Sequence, residues 1–265
     1  MKKNLDQLLA QLIKLHPKYI DLSLNRLTKL LKKMGNPELN LPPVIHIAGT
    51  NGKGSTLSYI HHILKENQFK VHAYISPHLN KFNERIIISN KEIKTKKLLE
   101  TLQFIKELNN NQPITFFEIT TAAALLLFSQ SKADFLILET GLGGRLDATN
   151  IIKKSLIDII TTIGKDHQEF LGTSLKKITN EKLGIIKPGS SVVISKQKKI
   201  IQEHIESKLK NKKNHLLIYN KDFKVIKINK NIFTIKYQNK TVNINKPRLR
   251  GDHQIINASN AVCAI

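Results

Sequence analysis

This 265-residue chain has very little cysteine and no long apolar run, and each shortage excludes a class of protein. Cys263 is the single cysteine, so the chain cannot form an internal disulfide, and thiolates alone cannot build a metal cluster. This shortage favours a reducing compartment, and we expect a cytoplasmic protein. No stretch of about 18 apolar residues occurs, so we expect no membrane span. Polar residues interrupt the apolar ones near the N-terminus, which predicts an amphipathic helix and argues against a signal peptide.

Arginine is also scarce, although the formal net charge of the chain is +23. The 43 basic residues include only five arginines, at positions 26, 85, 145, 248 and 250, which leaves 38 lysines (43 minus 5). Arginine supplies the forked phosphate contacts that nucleic-acid-binding proteins favour. The lysines are spread along the chain together with many asparagines and isoleucines, as an AT-biased coding sequence would produce. We therefore expect no nucleic-acid partner, while attraction of anionic substrates stays open.

A glycine-rich segment is the strongest local signal in the sequence. The apolar run 44–48 leads into Gly49–Thr56, which reads GTNGKGST, and apolar residues at helical spacing follow. This order predicts a strand, a loop and a helix, an arrangement that binds nucleoside triphosphates. Lys53 would reach the β- and γ-phosphates, and Ser55 or Thr56 could ligate Mg2+. The spacing differs from the common P-loop pattern, so the motif taken alone is also compatible with an ordinary glycine-rich turn.

Apolar runs alternate with amphipathic stretches along most of the chain. This alternation predicts a P-loop NTPase-like α/β fold, with a mostly parallel sheet flanked by helices. Besides the phosphate-loop unit, strands are predicted near residues 71–76, 85–88, 135–139, 157–163 and 192–195. Helices are predicted near residues 5–15, 23–34, 95–108, 118–130, 175–186 and 200–209, and from His253 onward.

The segments after residue 215 have a different pattern. Apolar and polar residues alternate there, which predicts strands near 216–219, 223–228, 232–237 and 241–244, with Asn239-Lys240 as a turn candidate. We therefore predict a small antiparallel β appendage near residues 215–245.

Chemically useful side chains follow four of the predicted strands. These are Lys53, Ser76, Glu139 and His167, and parallel strands bring their carboxyl ends to one edge, where open α/β sheets bind ligands. Glu139 precedes a glycine-rich loop and would hold Mg2+ directly or through water. Taken singly, Glu139 could be an ordinary strand-end acid and His167 a structural histidine. Their convergence favours a nucleotide–magnesium site.

Seven segments occur along the chain in the order GTNGKGS (49–55), SPHL (76–79), FNERI (82–86), ETGLGGRLDATN (139–150), DHQEFLG (166–172), EKLGIIK (181–187) and HQIINA (253–258). This set resembles the folylpolyglutamate synthases and the bifunctional dihydrofolate synthases, and the resemblance extends from about Asp21 to the last residue. These enzymes belong to the Mur-ligase superfamily of ATP-dependent amide-bond ligases. Only 48 residues precede Gly49, too few for the UDP-binding domain of the true Mur ligases.

The resemblance implies a role for each matching residue. Lys53, Lys182 and His167 would be catalytic, and Lys182 would carry a carbamate that helps to position Mg2+. The Mg2+ ligands would be Ser76, Glu139 and His167. The nucleotide site would comprise Asn51, Gly52, Lys53, Gly54, Ser55, Thr56 and, against adenine, Asn257. The pterin pocket would be lined by Asp21, Leu22, Leu24, Phe117, Asp147 and Ala148. Leu183 replaces the alanine that is usual after the lysine, and we expect only a packing effect.

The implied reaction transfers the γ-phosphoryl group of ATP to a carboxylate of dihydropteroate or of a folate, and glutamate then displaces phosphate to give an amide. We expect residues 1–265 to be the N-terminal ATP-binding domain of a monomer that ends inside its last helix and lacks the C-terminal glutamate-binding domain. Three alternatives stay open: a truncated, inactive remnant, a nucleotide-binding module without ligase activity, and a basic nucleic-acid-associated NTPase with strongly salt-dependent binding.

Overall fold

A mainly parallel sheet of eight strands forms the centre of the protein, whose residues 4–18 and 20–265 are described by a computed structural model. Its strands are β1 (Val44–Ala48), β2 (Val71–Tyr74), β3 (Ile86–Ile88), β4 (Lys91–Glu92), β5 (Phe135–Glu139), β6 (Ile157–Ile160), β7 (Ser191–Ile194) and β8 (His215–Ile218). Their order across the sheet is β4-β3-β2-β5-β1-β6-β7-β8, and only β3 and β4 pair antiparallel with their neighbours. The predicted mostly parallel sheet is confirmed.

Helices cover both faces of this sheet. They are α1 (Leu5–Ile13), α2 (Asn25–Lys33), α3 (Lys53–Glu66), α4 (Thr95–Asn109), α5 (Phe116–Ser129), α6 (Gln168–Leu171), α7 (Leu175–Leu183), α8 (Lys199–Leu209) and α9 (Asp252–Ala264). Short 3-10 turns occur at Pro37–Leu39, Phe82–Arg85 and Ala148–Ile151. In the part of the chain that the structure describes, no helix combines the length and the apolar character needed to cross a membrane.

The central strands are apolar throughout because both faces of the sheet are buried. All five residues of β1 are buried. Val44 packs with the cluster formed by α1, α2, α4 and α5, whereas Ile45 and Ile47 pack with the cluster formed by α3 and α9. The Ala-Leu stretch of α5 is buried except at Leu126, close to the all-round burial that its composition predicts.

A separate three-stranded antiparallel sheet precedes α9. It consists of β9 (Phe223–Ile228), β10 (Ile232–Tyr237) and β11 (Lys240–Asn245), with β10 in the middle. The predicted appendage therefore starts at Phe223 and not at residue 215, because β8 pairs parallel with β7 and completes the main sheet. The turn also differs by one residue: Tyr237 pairs with Lys240, so Gln238-Asn239 forms the turn, with Gln238 at φ 51°.

Two predicted element ends were wrong by three residues, because the sequence pattern does not show contacts between residues that are distant in sequence. The strand predicted to reach Ile163 ends at Ile160, since Thr162 instead forms a bridge with Asn51. The helix predicted to reach Ile186 ends at Leu183. The sequence pattern missed two short elements, β4 and α6.

Candidate active site

The loop between β1 and α3 turns tightly at two glycines. A Cβ atom on Gly49 would collide with the Thr161 side chain, and one on Gly52 would collide with the Asn257 amide. Gly52 also adopts φ +88°, a left-handed conformation that L side chains rarely adopt, and it precedes α3 without a side-chain cap. The first-turn amides of α3 therefore point out of the helix end, which is a ready site for phosphate.

The structure gives one predicted phosphate-binding amide another partner. The Asn51 N–H donates to the Thr162 carbonyl oxygen at 3.1 Å, and the Thr50 N–H donates to the same oxygen at 3.0 Å. The Asn51 backbone is thus engaged in holding the loop to the segment after β6. The amides that remain for phosphate are those of Gly52, which precedes α3, and of Lys53, Gly54 and Ser55 in its first turn.

Two lysines converge on the carbonyl oxygen of Gly49. Lys53 Nζ lies 3.3 Å from this oxygen, and Lys182 Nζ lies 2.8 Å from it. Lys182 is only 3% exposed. Burial lowers the pKa of Lys182 to about 8, with a further contribution from the positive charge of Lys53. A substantial fraction of the Lys182 amine is therefore neutral near physiological pH, which is the nucleophilic form.

Glu139 lies at the carboxyl end of β5, next to the start of α3. Its Oε2 accepts a hydrogen bond from the Ser76 N–H at 3.1 Å, and a Cβ on Gly54 would lie 3.6 Å from the same oxygen. Burial raises the pKa of Glu139 to about 7, although Lys53 and the Ser76 hydrogen bond oppose the shift. The parallel pairing of β2 with β5 brings Ser76 and Glu139 together as predicted.

Two buried hydroxyl groups beside this carboxylate lack partners. Neither Ser76 Oγ nor Thr56 Oγ1 has a hydrogen-bond partner within residues 4–18 and 20–265. A hydroxyl group in a buried position is ordinarily hydrogen-bonded. Hydroxyl and carboxylate oxygens are the donors that Mg2+ prefers, so the residues present suit a magnesium ion.

His167 occupies the far side of the same region. It has φ 46°, precedes α6, and its side chain is 44% exposed, with Nε2 3.6 Å from Asp166 Oδ2. It lines a cavity together with Ser76, while no contact between His167 and Glu139 is recorded. Among the described side chains, no group of three or more His, Cys, Asp or Glu residues is placed to hold a metal ion. The predicted set of Ser76, Glu139 and His167 contains only two residues of those types.

The acceptor cavity, as we name it, is a cleft of about 360 Å³ beside this cluster. It brings together five of the six residues predicted for the pterin pocket, namely Asp21, Leu22, Phe117, Asp147 and Ala148. The sixth, Leu24, is the N-cap residue of α2 and is not among the lining residues. Several other residues line it that were not predicted as site residues, including Arg85, Thr115 and Glu118. Arg85 lies in the quoted FNERI segment, and the Thr115/Glu118 pair forms a capping box at the start of α5.

Phe117 forms one wall of the acceptor cavity. A Cβ on Gly141 would lie 2.6 Å from the end of the Phe117 ring, so the glycine allows the ring to lie against the backbone. The ring also stacks on Tyr74, with centroids 5.9 Å apart. These contacts fix a flat apolar surface that suits an aromatic ligand.

Hydrogen bonds fix both oxygens of Asp147. Oδ1 accepts from the Thr149 hydroxyl at 2.6 Å and the Thr149 N–H at 2.9 Å, and Oδ2 accepts from the Leu142 N–H at 2.8 Å. Because the Thr149 proton is directed to Asp147, His46 Nε2 must donate to Thr149 Oγ1, 2.9 Å away. Burial, assisted by Lys187, lowers the pKa of His46 to about 3, so this ring is neutral.

A salt bridge neutralises Glu118 from behind the cavity. Its Oε2 accepts from Arg26 Nε at 3.0 Å and from the Thr115 hydroxyl and N–H, each at 2.8 Å. Arg26 Nη1 also donates to Asp21 Oδ2 at 2.8 Å. This network ties the start of α5 to the segment before α2.

The nucleotide cavity, as we name the second cleft, is about 480 Å³ in size and lies on the other side of the phosphate loop. Four predicted nucleotide-site residues line it: Asn51, Gly52, Ser55 and Asn257. The Asn257 side chain donates to Gln254 Oε1 at 3.2 Å, and Tyr59 donates to the same oxygen at 3.1 Å. Thr162, His253 and Gln254 complete the lining; the latter two lie in the quoted HQIINA segment but were not predicted as site residues.

Comparison with known proteins gives consistent matches. The sequence profile of the Mur ligase middle domain matches residues 47–265. The dihydrofolate synthase/folylpolyglutamate synthase of Haemophilus influenzae is 43% identical over 188 residues, which are 70% of this chain and 42% of that protein. The structure of Escherichia coli FolC in complex with DHPP and ADP superimposes with a TM-score of 0.89 at 30% identity, covering 99% of this chain and 62% of that one.

A crystal structure of a bifunctional folylpolyglutamate synthase/dihydrofolate synthase with Mn, AMPPNP and L-glutamate bound gives a TM-score of 0.85 at 29% identity. It covers 99% of this chain, and this chain covers 62% of it. The chain therefore spans about two fifths of the sequence relative and about three fifths of the two solved structures. Nucleotide and divalent-metal binding are features of these similar structures.

Proposed function

The chain belongs to the Mur ligase middle-domain family, and from this premise we propose that it is the ATP-binding part of an amide-bond ligase. The ligase adds L-glutamate to dihydropteroate, to a folyl-polyglutamate, or to both, through an acyl phosphate. The observation that carries this proposal is the cluster of Lys53, Ser76 and Glu139 next to two cavities. Ser76, which is bonded to Glu139, lines the acceptor cavity with its aromatic wall, and Lys53 directly follows Gly52, which lines the nucleotide cavity.

The nucleotide is held mainly by backbone. Its phosphates lie at the first turn of α3 and on Lys53, while adenine lies against Asn257 in the nucleotide cavity. Lys53 offsets negative charge on the β- and γ-phosphates as the phosphoryl group moves. Mg2+, when bound by Ser76 and Glu139, with Thr56 and His167 as further candidate donors, neutralises phosphate charge in the same place.

The acceptor carboxylate is the nucleophile in the first step. Its oxygen attacks the γ-phosphorus, the bond to the β,γ-bridging oxygen breaks, and ADP leaves. A carboxylate is already nucleophilic, so this step needs no activated base on the protein. The amine of glutamate then attacks the acyl carbon, and collapse of the tetrahedral intermediate expels inorganic phosphate and leaves the amide.

Lys182 carries a carbamate in this proposal. Its Nζ is buried beside the Gly49 carbonyl oxygen, and its lowered pKa leaves about a quarter of the amine neutral at pH 7.5. The neutral amine adds to the carbon of CO2 and releases one proton to solvent, which leaves a carbamate anion where the protonated lysine would carry a positive charge. The carbamate then lies close to Lys53, which contributes to lowering the Lys182 pKa.

Phosphate release tests the proposed function most simply. For a ligase that contains this chain as its ATP-binding part, we expect release from ATP–Mg2+ to require dihydropteroate and L-glutamate together, and to disappear in Lys53→Ala. A rate of phosphate release that is the same with and without dihydropteroate would contradict the proposed ligase activity. Lys29→Ala is a matched control because Lys29 is an exposed lysine on α2, outside both cavities, and it is expected to leave the rate unchanged.

A second candidate is an ATP- and magnesium-binding module without ligase activity. Such a module needs only the phosphate loop, Lys53 and the nucleotide cavity, all of which lie in the described part of the chain. It predicts ATP binding that is lost in Lys53→Ala, together with no substrate-dependent phosphate release. In either case the proposed setting is a cytoplasmic monomer whose partners are small molecules and not nucleic acids.

A further inference from the structure

Arg85 is a buried cation in the wall of the acceptor cavity. It ends the 3-10 turn Phe82–Arg85, its side chain is held beside β2 and β3, and the residue is 9% exposed. Its carbonyl oxygen accepts from the Ile75 N–H at 2.9 Å, next to Ser76. Arg85 and Ser76 line the same cavity. The charge of Arg85 also lowers the pKa of Glu139, so the guanidinium lies in the neighbourhood of that carboxylate.

The other four arginines are either paired or exposed. Arg26 binds Asp21 and Glu118, and Arg145 binds Glu181 at 2.9 Å. Arg248 and Arg250 are exposed to solvent. Arg85 differs from all of them, because it is buried and no carboxylate oxygen of residues 4–18 and 20–265 lies within 4.0 Å of its nitrogens.

Two neutral neighbours fix the orientation of this guanidinium. Nε donates to His78 Nδ1 at 2.9 Å, and the guanidinium carbon lies 5.1 Å from the centroid of the Phe82 ring. The accepting Nδ1 requires a neutral His78, and burial followed by the charge of Arg85 lowers the His78 pKa. For Nη1 and Nη2, no acceptor is recorded in the described part of the chain.

A largely buried charge without a counterion is costly, and the carboxylates that share the cavity with Arg85 form no salt bridge with it. Glu118 is bound by Arg26 through Oε2, while its Oε1 has no partner among the described residues, and both oxygens of Asp147 accept hydrogen bonds from Thr149 and Leu142. Glu139 lies near enough for Arg85 to lower its pKa but not near enough for a salt bridge. The position therefore calls for an anion that the protein does not supply.

We propose that Arg85 binds the carboxylate of the acceptor substrate through its two Nη groups and holds it at the end of the cavity next to Lys53. This inference rests on the proposed function in one respect, the choice of a pterin carboxylic acid as the acceptor. A planar guanidinium donating two parallel hydrogen bonds suits a carboxylate better than a single ammonium does. Arg85 is then a substrate-binding residue that selects acids over neutral pterins.

The test compares two ligands: pteroate, and the same pterin–aniline compound with hydrogen in place of the carboxylate. Dissociation constants are measured by calorimetry with Mg2+–AMPPNP present, for the unchanged chain, Arg85→Gln, Arg85→Lys and the exposed control Arg248→Gln. We expect Arg85→Gln to weaken pteroate binding about ten- to a hundredfold and to leave the carboxylate-free ligand unchanged. The pteroate dissociation constant of Arg85→Lys is expected to lie between those of the unchanged chain and Arg85→Gln, and that of Arg248→Gln to equal that of the unchanged chain.

The outcomes separate this inference from the proposed function. Selective loss of pteroate binding in Arg85→Gln supports it, and retained binding of the carboxylate-free ligand shows that the variant is folded. An unchanged preference for pteroate in Arg85→Gln overturns the role of Arg85 and leaves the proposed function intact. An equal loss of affinity for both ligands in Arg85→Gln and in Arg85→Lys also overturns the role of Arg85 in binding the carboxylate, because the residue then only supports the fold. If the unchanged chain binds neither ligand, the proposed acceptor and this inference both fail.

Discussion

The two cavities on either side of the phosphate loop are built in different ways. The nucleotide cavity is lined by polar residues and a glycine and depends largely on backbone, with Gly52 packed against Asn257 and open amides at the start of α3. The acceptor cavity has apolar walls, and three of its charged residues, Glu118, Asp147 and Arg85, are at most 9% exposed. The proposed phosphate site therefore depends on local backbone geometry, whereas the proposed acceptor site depends on side chains that distant elements hold in place.

This difference predicts that each cavity can be damaged without the other. Glycine substitutions test it well, because an added methyl group changes space without changing charge. Two pairs of glycines allow this test: Gly52 and Gly141 are each closely packed against a residue of one cavity, whereas Gly35 and Gly164 are not.

The largest effect is expected for Gly52→Ala. The added Cβ would collide with the Asn257 amide, and we expect nucleotide affinity to fall about a hundredfold, with pteroate affinity unchanged. Gly35→Ala is the matched control, since Gly35 has φ +82° against +88° for Gly52 but no atom within 4 Å of the added Cβ. It should lose stability through backbone strain, by about 1 kcal/mol, and bind both ligands normally. Equal nucleotide affinities for the two variants would refute the close packing of Asn257 as the cause.

A smaller effect, on pteroate affinity instead of nucleotide affinity, is expected for Gly141→Ala. Its Cβ would meet the Phe117 ring at 2.6 Å and displace this wall of the acceptor cavity. We expect pteroate affinity to fall about tenfold while nucleotide affinity stays the same. At Gly164 the nearest atom would be 3.8 Å away, so Gly164→Ala should leave pteroate affinity unchanged. Titration of both ligands against both variants checks this; a nucleotide defect in Gly141→Ala would show that the cavities are not independent.

Thr149→Val tests the hydrogen bonds behind the acceptor cavity. It removes a donor to Asp147 Oδ1 and the acceptor for His46 Nε2, both in buried positions. We expect the free energy of unfolding in urea to fall by about 2–3 kcal/mol, and pteroate affinity to fall by a few fold. Thr234→Val removes a hydrogen bond to Asn243 on an exposed strand and should cost less than about 0.5 kcal/mol. Similar losses in the two variants would mean that the buried network adds nothing to stability.

The smallest effect concerns Lys182, which lies beside the phosphate loop. With a pKa of about 8, its neutral fraction rises as the pH rises through 8, from about a tenth at pH 7 to about nine tenths at pH 9. An exposed lysine stays almost fully protonated over this range. We expect a carbamate carbon resonance with 13C-labelled CO2 at fixed pressure, growing from pH 7 to pH 9 and missing in Lys182→Gln. A resonance that persists in Lys182→Gln, but is lost on substitution of another lysine, would move the carbamate elsewhere.

The sequence predicted the nucleotide side well because its determinants are contiguous. Residues 44–56 contain the strand, the turn and the start of α3, and each element forms in the predicted place. The pattern could not show that the Asn51 amide binds the Thr162 carbonyl oxygen, since this contact joins the ends of β1 and β6. For the same reason, alternation alone misplaced β8, whose membership of the main sheet is decided by pairing with β7.

The acceptor side was predicted only through resemblance, and incompletely. Arg85 and Glu118 are ordinary charged residues in the sequence, and their significance depends on partners. Arg26, which neutralises Glu118, is 92 residues away, and Arg85 stands out because no carboxylate approaches it. Hydrophobic periodicity contains no information about such pairings, so they become visible only when the elements are packed together.

A crystal structure with Mg2+–AMPPNP and pteroate bound together would test the central claim most directly. The account predicts the nucleotide in the nucleotide cavity, pterin against Phe117, and the pteroate carboxylate about 3–3.5 Å from the γ-phosphorus, between Lys53 and Arg85. Pteroate bound outside the acceptor cavity, or with its carboxylate directed away from the γ-phosphate, would contradict the claim that the two cavities bring these reactants together.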